Sequence, residues 1–424
     1  MSSGDAARPF RPGYRPPAKN DTTDFRGFCV RWILICGVTA SWAVSFGIGT
    51  QATSHWLKLH DASDTLVGLV HASYYFGVAA MSLGVPRLTR FLGLGTTSLG
   101  LFASAVSLAA FPFGQGAAGW IILRALSGAA CALSLVPLET YLSRTSAPQR
   151  RAEMFSYFAV ALTLAGAVGI AVGLEGFNAD GFLIHWIGRP RNAFFVGAVF
   201  PLLGSVVAQQ TLARLEWDAE TAAGATKLDW KKHVLSFGTA WGQGFLEGGM
   251  LAFLSLYLVS RGMSTSTAGL LMGVAMIGVI AFQIPVAWIA DRCGRRSTLL
   301  VCYAVAIAGL AMVPFSDTHL GLGVWLFLFG ACSGAMYPLG MALLDDHLPA
   351  NSLARAYAWY MAMECVGSQI GSAAMGRARD VWGPGAMFLV SALALLAVLA
   401  VWAGVTFMTR STPTIDANET RRAA

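Results

Sequence analysis

The sequence predicts an all-α membrane protein with twelve transmembrane helices in two pseudo-symmetric six-helix bundles. Three observations carry this. Of the 424 residues, 55% are hydrophobic and only 12% charged, against roughly 25% charged in a soluble domain. Apolar runs recur along nearly the whole chain at about 20 residues each, the length a helix needs to cross hydrocarbon. The two halves of the chain also repeat one another in the same order.

The spans fall at 28–50, 66–86, 93–113, 117–141, 153–174 and 192–212 in the first half. Those of the second half fall at 233–259, 267–289, 297–315, 320–343, 354–376 and 385–408. An even number places both ends on one side. Segments before odd spans and after even ones hold 22 Lys and Arg, the opposite loops hold 6, and Arg124 lies inside a span. This bias predicts that both termini are cytoplasmic. Residues 1–27, rich in Pro and Arg, read as a disordered cytoplasmic tail with no signal-peptide core, and 409–424 as a second tail. The polar stretch 214–232 reads as a cytoplasmic linker between the bundle 28–213 and the bundle 233–408. Across it, "LSGAACAL" (126–133) faces "CSGAMYPL" (332–339), and "AEMFSYFAVALTLAGAVG" (152–169) faces "ARAYAWYMAMECVGSQIG" (354–371). Parallel six-helix repeats build one large class of transporters that hold substrate between the halves.

Several function classes lose support. The net charge of +7 is loop charge of the positive-inside kind, so no nucleic-acid partner is expected. None of the seven cysteines falls in an external loop, which predicts no disulfide. No Gly-Lys dipeptide occurs, so there is no P-loop, and no HExxH or CxxC pair suggests a metal or cofactor. External His55, His60 and His185, with Asp61 and Asp64, read as solvated loop. No nucleophile–base pair supports an enzyme.

Two motifs point further. "AWIADRCGRRS" (287–297) lies between spans eight and nine and resembles the signature loop of the major facilitator superfamily, with Asp291, Arg292, Gly294, Arg295 and Arg296 in place and Ala287 in the first Gly position. Positive-inside charge alone explains the arginines but not their order. The matching loop of the first half, "GVPRLTRFLGLG" (84–95), keeps Arg90 and Gly93 but has no acidic residue, whereas most members carry the stronger copy there. "WIILRALSGAA" (120–130) is similar to the family's Arg-x-x-x-Gly pattern in helix four, with Arg124 and Gly128. Helix five lacks the Gly-Pro of drug/proton antiporters. The chain looks closest to bacterial inner-membrane members of mostly unassigned substrate. The resemblance implies alternating access, a lipid-embedded monomer, and helices three, six, nine and twelve outside the cavity.

The intramembrane charges then become candidates for substrate contact or proton coupling, because such charges are costly and survive by facing a cavity or partner. Glu364 shares a helix face with Tyr357, Tyr360, Met361, Gly367, Ser368 and Gly371, small and aromatic rather than lipid-facing. Taking a carboxylate out of water favours its protonated form, which suits a proton-coupled carrier; a static hydrogen bond fixing span eleven is the other reading. Glu247 sits near Gln243 and Gly244, where the glycines equally suit helix packing. His71 has Tyr74 and Tyr75 three and four residues on. Arg124 needs a partner that the sequence does not name. Glu139, Asp345 and Asp346 lie at cytoplasmic ends, and the resemblance implies a gate there with Arg90 and the Asp291–Arg296 loop; snorkelling end-charges are the alternative. The expected function is secondary transport of a small organic solute, with protons as coupling ion and no cofactor. The alternatives are a uniporter or exporter of amphiphiles, and a transporter-shaped scaffold or sensor without flux.

Overall fold

The computed structural model describes residues 22–145, 151–178, 189–212, 230–346, 348 and 350–411. The tails, most of the linker, His185 and the side chain of Asp345 lie outside these. Twelve long helices follow in order: α1 (Thr22–Leu59), α2 (Asp64–Ser82), α3 (Gly95–Ala110), α4 (Gly116–Thr145), α5 (Arg151–Glu175), α6 (Asn192–Thr211), α7 (Val234–Ser260), α8 (Thr265–Cys293), α9 (Arg295–Met312), α10 (His319–Asp345), α11 (Ala350–Trp382) and α12 (Ala386–Ser411). A short helix, Val85–Leu92, carries the degenerate first-half loop. Among the described residues, ten helices are long and apolar enough to cross a membrane, and α2 joins them with the short helix at a 57° bend. Helix α11 is 33 residues long and owes its lower hydropathy to the polar groups described below.

The chain alternates between two faces. The terminal face is where α1 begins and α12 ends; the distal face is opposite. Three of the helices entering from the distal face start on hydroxyl caps: Ser63 accepts from the Leu66 amide, Ser264 from Thr267 and Thr318 from Gly321, filling donors that a helix start leaves open. Helices α1 and α11 run well past their sequence-derived ends at the distal face. The polar residues that seemed to end them, Gln51, Ser54, His55 and Arg379 among them, are buried against other helices and so need no water.

Glycines set the packing. On α1, a Cβ at Gly47 would overlap the Gly166 carbonyl of α5; on α7, one at Gly248 would overlap the Ser368 carbonyl of α11. Gly169 meets Val44 as Gly371 meets Phe245. Helices α2 and α4 meet through Gly77 against Ala125 and Gly128 against Tyr74, and α8 and α10 repeat this with Gly278 against Phe327 and Gly330 against Ala275. Small residues let backbones touch where lipid offers no hydrophobic drive for association. The α5–α11 pairing read from the sequence holds in this register. The α4–α10 pairing does not: the sequence match set Gly128 opposite Gly334, while packing sets it opposite Gly330, about one turn away. Gly330 and Gly334 lie on the same helix face, and pattern alone cannot choose between them. Helices α3, α6, α9 and α12 pack within their own halves.

Gly244→Ala is a test of this packing. Its Cβ would overlap the Glu364 carbonyl on α11, and overpacking costs about 1–3 kcal/mol. The thermal midpoint of the purified chain is expected to fall; an unchanged midpoint would show that α7 and α11 part freely.

Candidate functional site

Helices α4, α7 and α11 bring three carboxylates near one another, beside α10. Glu364, Glu247 and Glu139 are each half-buried. Glu364 lies within electrostatic reach of the Tyr337 hydroxyl of α10, of Glu247 and of Glu139. Tyr75 of α2 lies within reach of both Glu247 and Glu364 from the opposite half. Tyr360 is fully buried behind this group. Its hydroxyl donates to the Tyr337 carbonyl at 2.7 Å, and its ring packs edge-on to Tyr337, so it holds the tyrosine beside Glu364. Part of the Glu364 helix face proves to be seam: Gly367 and Gly371 press on Trp241 and Phe245 of α7, leaving the carboxylate at the seam's edge.

The repeat isolates this pair. In the register that sets Gly47 with Gly248 and Gly166 with Ser368, Glu247 corresponds to Phe46 and Glu364 to Leu162. The first half builds the same helix contact without any charge.

Arg124 of α4 is 3% exposed. It donates to the Thr50 hydroxyl at 3.0 Å and its guanidinium lies 4.6 Å from the Tyr74 ring centre. Its Nε has no partner. No carboxylate pairs with it among the described residues. A desolvated cation–π contact gives about 2 kcal/mol and a hydrogen bond to a charged group about 1.5–3 kcal/mol. Removing the charge from water costs several kcal/mol, about what these contacts return, and no opposite charge lies beside it among the described residues. His71 is equally buried, its Nε2 2.9 Å from Ser54 Oγ. That hydroxyl spends its one hydrogen on the Ala252 carbonyl, so His71 is the donor and its Nε2 carries the proton.

This places His71 in a seam that the sequence did not reveal. Gln51 donates to the Leu251 carbonyl at 3.0 Å, and its amide oxygen accepts from Ser255 at 2.7 Å; Ser255 in turn lies 3.3 Å from His55 Nε2. The seam joins α1 to α7 across the two halves. Beside it α2 meets α11. A Cβ on Gly68 would overlap the Ser372 carbonyl, and one on Gly376 the Asp64 carbonyl. Arg379, 3% exposed in its side chain, pairs with Asp64 at 2.9 Å, and Lys58 completes the cluster at 2.9 Å. Asp380 accepts from the amides of Asp64 and Thr65 at 2.9 and 2.7 Å, capping the start of a helix in the other half. At the third contact, Ser266 of α8 donates to Glu175 of α5 at 2.6 Å. These hydrogen bonds and ion pairs between the halves all lie toward the distal face. The expectation that His55 and Asp64 belong to solvated loop is thereby corrected: both are buried, because the opposite half covers them. His60 is exposed, against Trp56.

The distal lock has a pH signature. Burial opposes the Asp380 charge, but hydrogen bonds from the Thr65 hydroxyl and the Thr65 and Asp64 amides, with the Lys58 charge, outweigh it and hold the carboxyl below the usual aspartate range. A carboxyl lowered in the closed form stabilises that form above its ordinary value and ceases to do so as pH falls through the lowered one. Distal closure, followed by a fluorophore pair across α2 and α11, is expected to weaken below about pH 4, and Asp380→Asn to flatten that dependence. A wild-type signal indifferent to acid would contradict the assignment.

The signature loop ties one half together. Gly294 makes the break between α8 and α9 at φ +92°, a conformation that suits glycine. Arg295 bonds Asp346 at 2.7 Å and the Ala342 carbonyl at 2.8 Å, with Asp291 at 3.6 Å. Arg292 stacks on Trp288 and Arg296 on Trp402. Arg90 is exposed on the short helix of the first half.

A sequence profile of the Major Facilitator Superfamily matches residues 235–423. An uncharacterized MFS-type transporter, YcaD, of Salmonella dublin is 24% identical over 349 residues, covering 80% of this chain and 86% of that protein. A relative from Yersinia pestis, also named an uncharacterized MFS-type transporter, is 25% identical over 327 residues, covering 76% and 81%. Among solved structures, a variant of the nucleoside transporter NupG matches with a TM-score of 0.70 at 12% identity, covering 88% of this chain and 99% of that one. A bacterial homologue of the human lysosomal transporter Spinster, in an inward-facing and occupied conformation, matches with a TM-score of 0.70 at 13% identity, covering 92% and 98%. At these identities the structures establish the shared fold. Profile and relatives bear out the resemblance carried by the Asp291–Arg296 loop, to transporters whose substrates are unassigned.

Proposed function

We propose that this chain, a membrane transporter of the major facilitator type, moves a small organic solute by alternating access coupled to protons, with Glu364 as the coupling carboxylate and Glu247 as its companion. The observation that carries this reading is the asymmetry of the repeat. Phe46 and Leu162 serve the same helix contact in the first half, so the fold does not require charge at these positions. Charges that packing does not need and that lipid penalises are retained for a task. Two carboxylates facing one gap repel, and a proton or a cationic group between them offsets that repulsion.

The distal face is then the external one, by the bias of Lys and Arg toward the terminal side. On this reading the distal seam closes the outside, and the carboxylates are reached from the cytoplasm. Opening the other way breaks the Arg379–Asp64 pair and the Gln51–Ser255 seam, and makes contacts at the terminal face. Glu139, Asp345, Arg90 and the Asp291–Arg296 loop are the groups suited to that second closure. His71, Tyr74 and Tyr360 position the walls of the cavity rather than line it.

The test is proton movement in proteoliposomes holding the full chain, read with an entrapped pH dye while small organic solutes are added. A solute that drives protons in wild type supports the reading. A solute that binds the chain with no flux of solute or protons favours a scaffold or sensor, and solute flux without protons favours a uniporter.

A further inference from the structure

We propose that Arg124 holds a small monovalent anion of halide size in a small chamber within the first bundle. The chamber is about 20 Å³ and is walled by α1 to α4, with Trp42, Ser45, Tyr74, Ser104, Arg124 and Ser127 among its lining. About 10–15 Å³ admits one water-sized particle, so a single ion fits, and an organic solute of the kind proposed as cargo does not.

The lining offers donors and asks for an acceptor. Arg124 presents an Nε–H with no partner and has no carboxylate within ion-pair distance among the described residues. Ser45 and Ser104 are 4% and 8% exposed, and their hydroxyls make no hydrogen bond with any described residue. Ser127 spends its hydrogen on Ser107 and the Leu123 carbonyl, which leaves two free hydroxyls beside the guanidinium. A cation is repelled here. A water satisfies donors but neutralises nothing. A monovalent anion accepts from all of these groups and cancels the buried charge.

The experiment compares thermal unfolding of the purified full chain in sodium chloride, bromide and gluconate at one ionic strength. Chloride and bromide are expected to raise the midpoint saturably by ~2 °C or more over gluconate, which is too large for the chamber. Bromide is also expected to quench a saturable part of the tryptophan emission that is missing in Trp42→Phe. Arg124→Gln should abolish both responses. If that variant does not fold, Ser104→Val keeps the arginine, fills the chamber and should abolish them as well. Equal midpoints of wild type in all three salts overturn the proposal and leave a water in the chamber. Responses that survive in the variants also overturn it, because they place the halide elsewhere.

Discussion

Gly68→Leu is expected to leave the fold standing and remove the closed distal state. The contact at Gly68 is with the Ser372 carbonyl of the opposite half. It is backbone, so no rotamer change relieves the overlap, and the only escape is separation of α2 from α11. Gly68 takes no part in the α2–α4 contact, which runs through Gly77 and Gly128. This distinguishes it from Gly244, whose close approach lies within one half and belongs to the fold itself. Arg379→Ala should act in the same direction with a gentler push. Removing one partner of a buried pair costs about 3–5 kcal/mol, and about 1.4 kcal/mol is tenfold, so closure becomes roughly two to three orders of magnitude less favourable. A single cysteine in place of Ser255, buried in the seam, reports this in an otherwise cysteine-free chain. Its labelling by an impermeant maleimide from the distal side should rise steeply in Gly68→Leu and in Arg379→Ala. Labelling as slow as in the parent would mean that these residues do not hold the distal face shut.

Glu364→Gln has the largest expected effect on activity. Glutamine keeps the shape, but it cannot carry a proton through a cycle. Proton movement driven by the transported solute should fall to that of protein-free vesicles, while the thermal midpoint stays within the range of a surface substitution, ±0.5 kcal/mol. Solute exchange, which needs no net proton transfer, should persist. If Glu364 instead fixes α11 through a static hydrogen bond, the midpoint shifts and coupled flux is retained in whatever protein folds. Glu247→Gln should lower coupled flux less, because Glu364 and its tyrosine remain.

Helix number, the division into halves and the signature loop could be read from the residues because each rests on local pattern: apolar length, loop charge and the order Asp291–Arg296. The place of Glu364 within a span could be read because a carboxylate amid twenty apolar residues is conspicuous. The distal lock could not. Asp64, Arg379 and Asp380 sit where hydropathy falls, and a charge beyond the end of an apolar run looks the same whether water or another helix covers it. One signal was present. "DTLVG" (64–68) sets an acid four residues from a glycine, and "GRARD" (376–380) sets a glycine four residues from an acid. Each places a charge and a point of close approach on one helix face, in mirrored order, as two antiparallel partners require. The α4–α10 register failed for a related reason. Gly330 and Gly334 are equivalent by spacing, and only the carbonyl of Ala275 decides between them.

Alternating access is tested most directly by distance measurement between spin labels on the two faces in lipid. One pair replaces exposed Asp61 and Trp382 at the distal ends of α1 and α11; a second replaces Arg87 and Cys293 at the terminal face. Two populations are expected for each pair, a short distal distance accompanying a long terminal one and the reverse, with Gly68→Leu leaving only the long distal population. One short distal distance in wild type and in Gly68→Leu alike, at every pH and with every solute, would contradict alternating access.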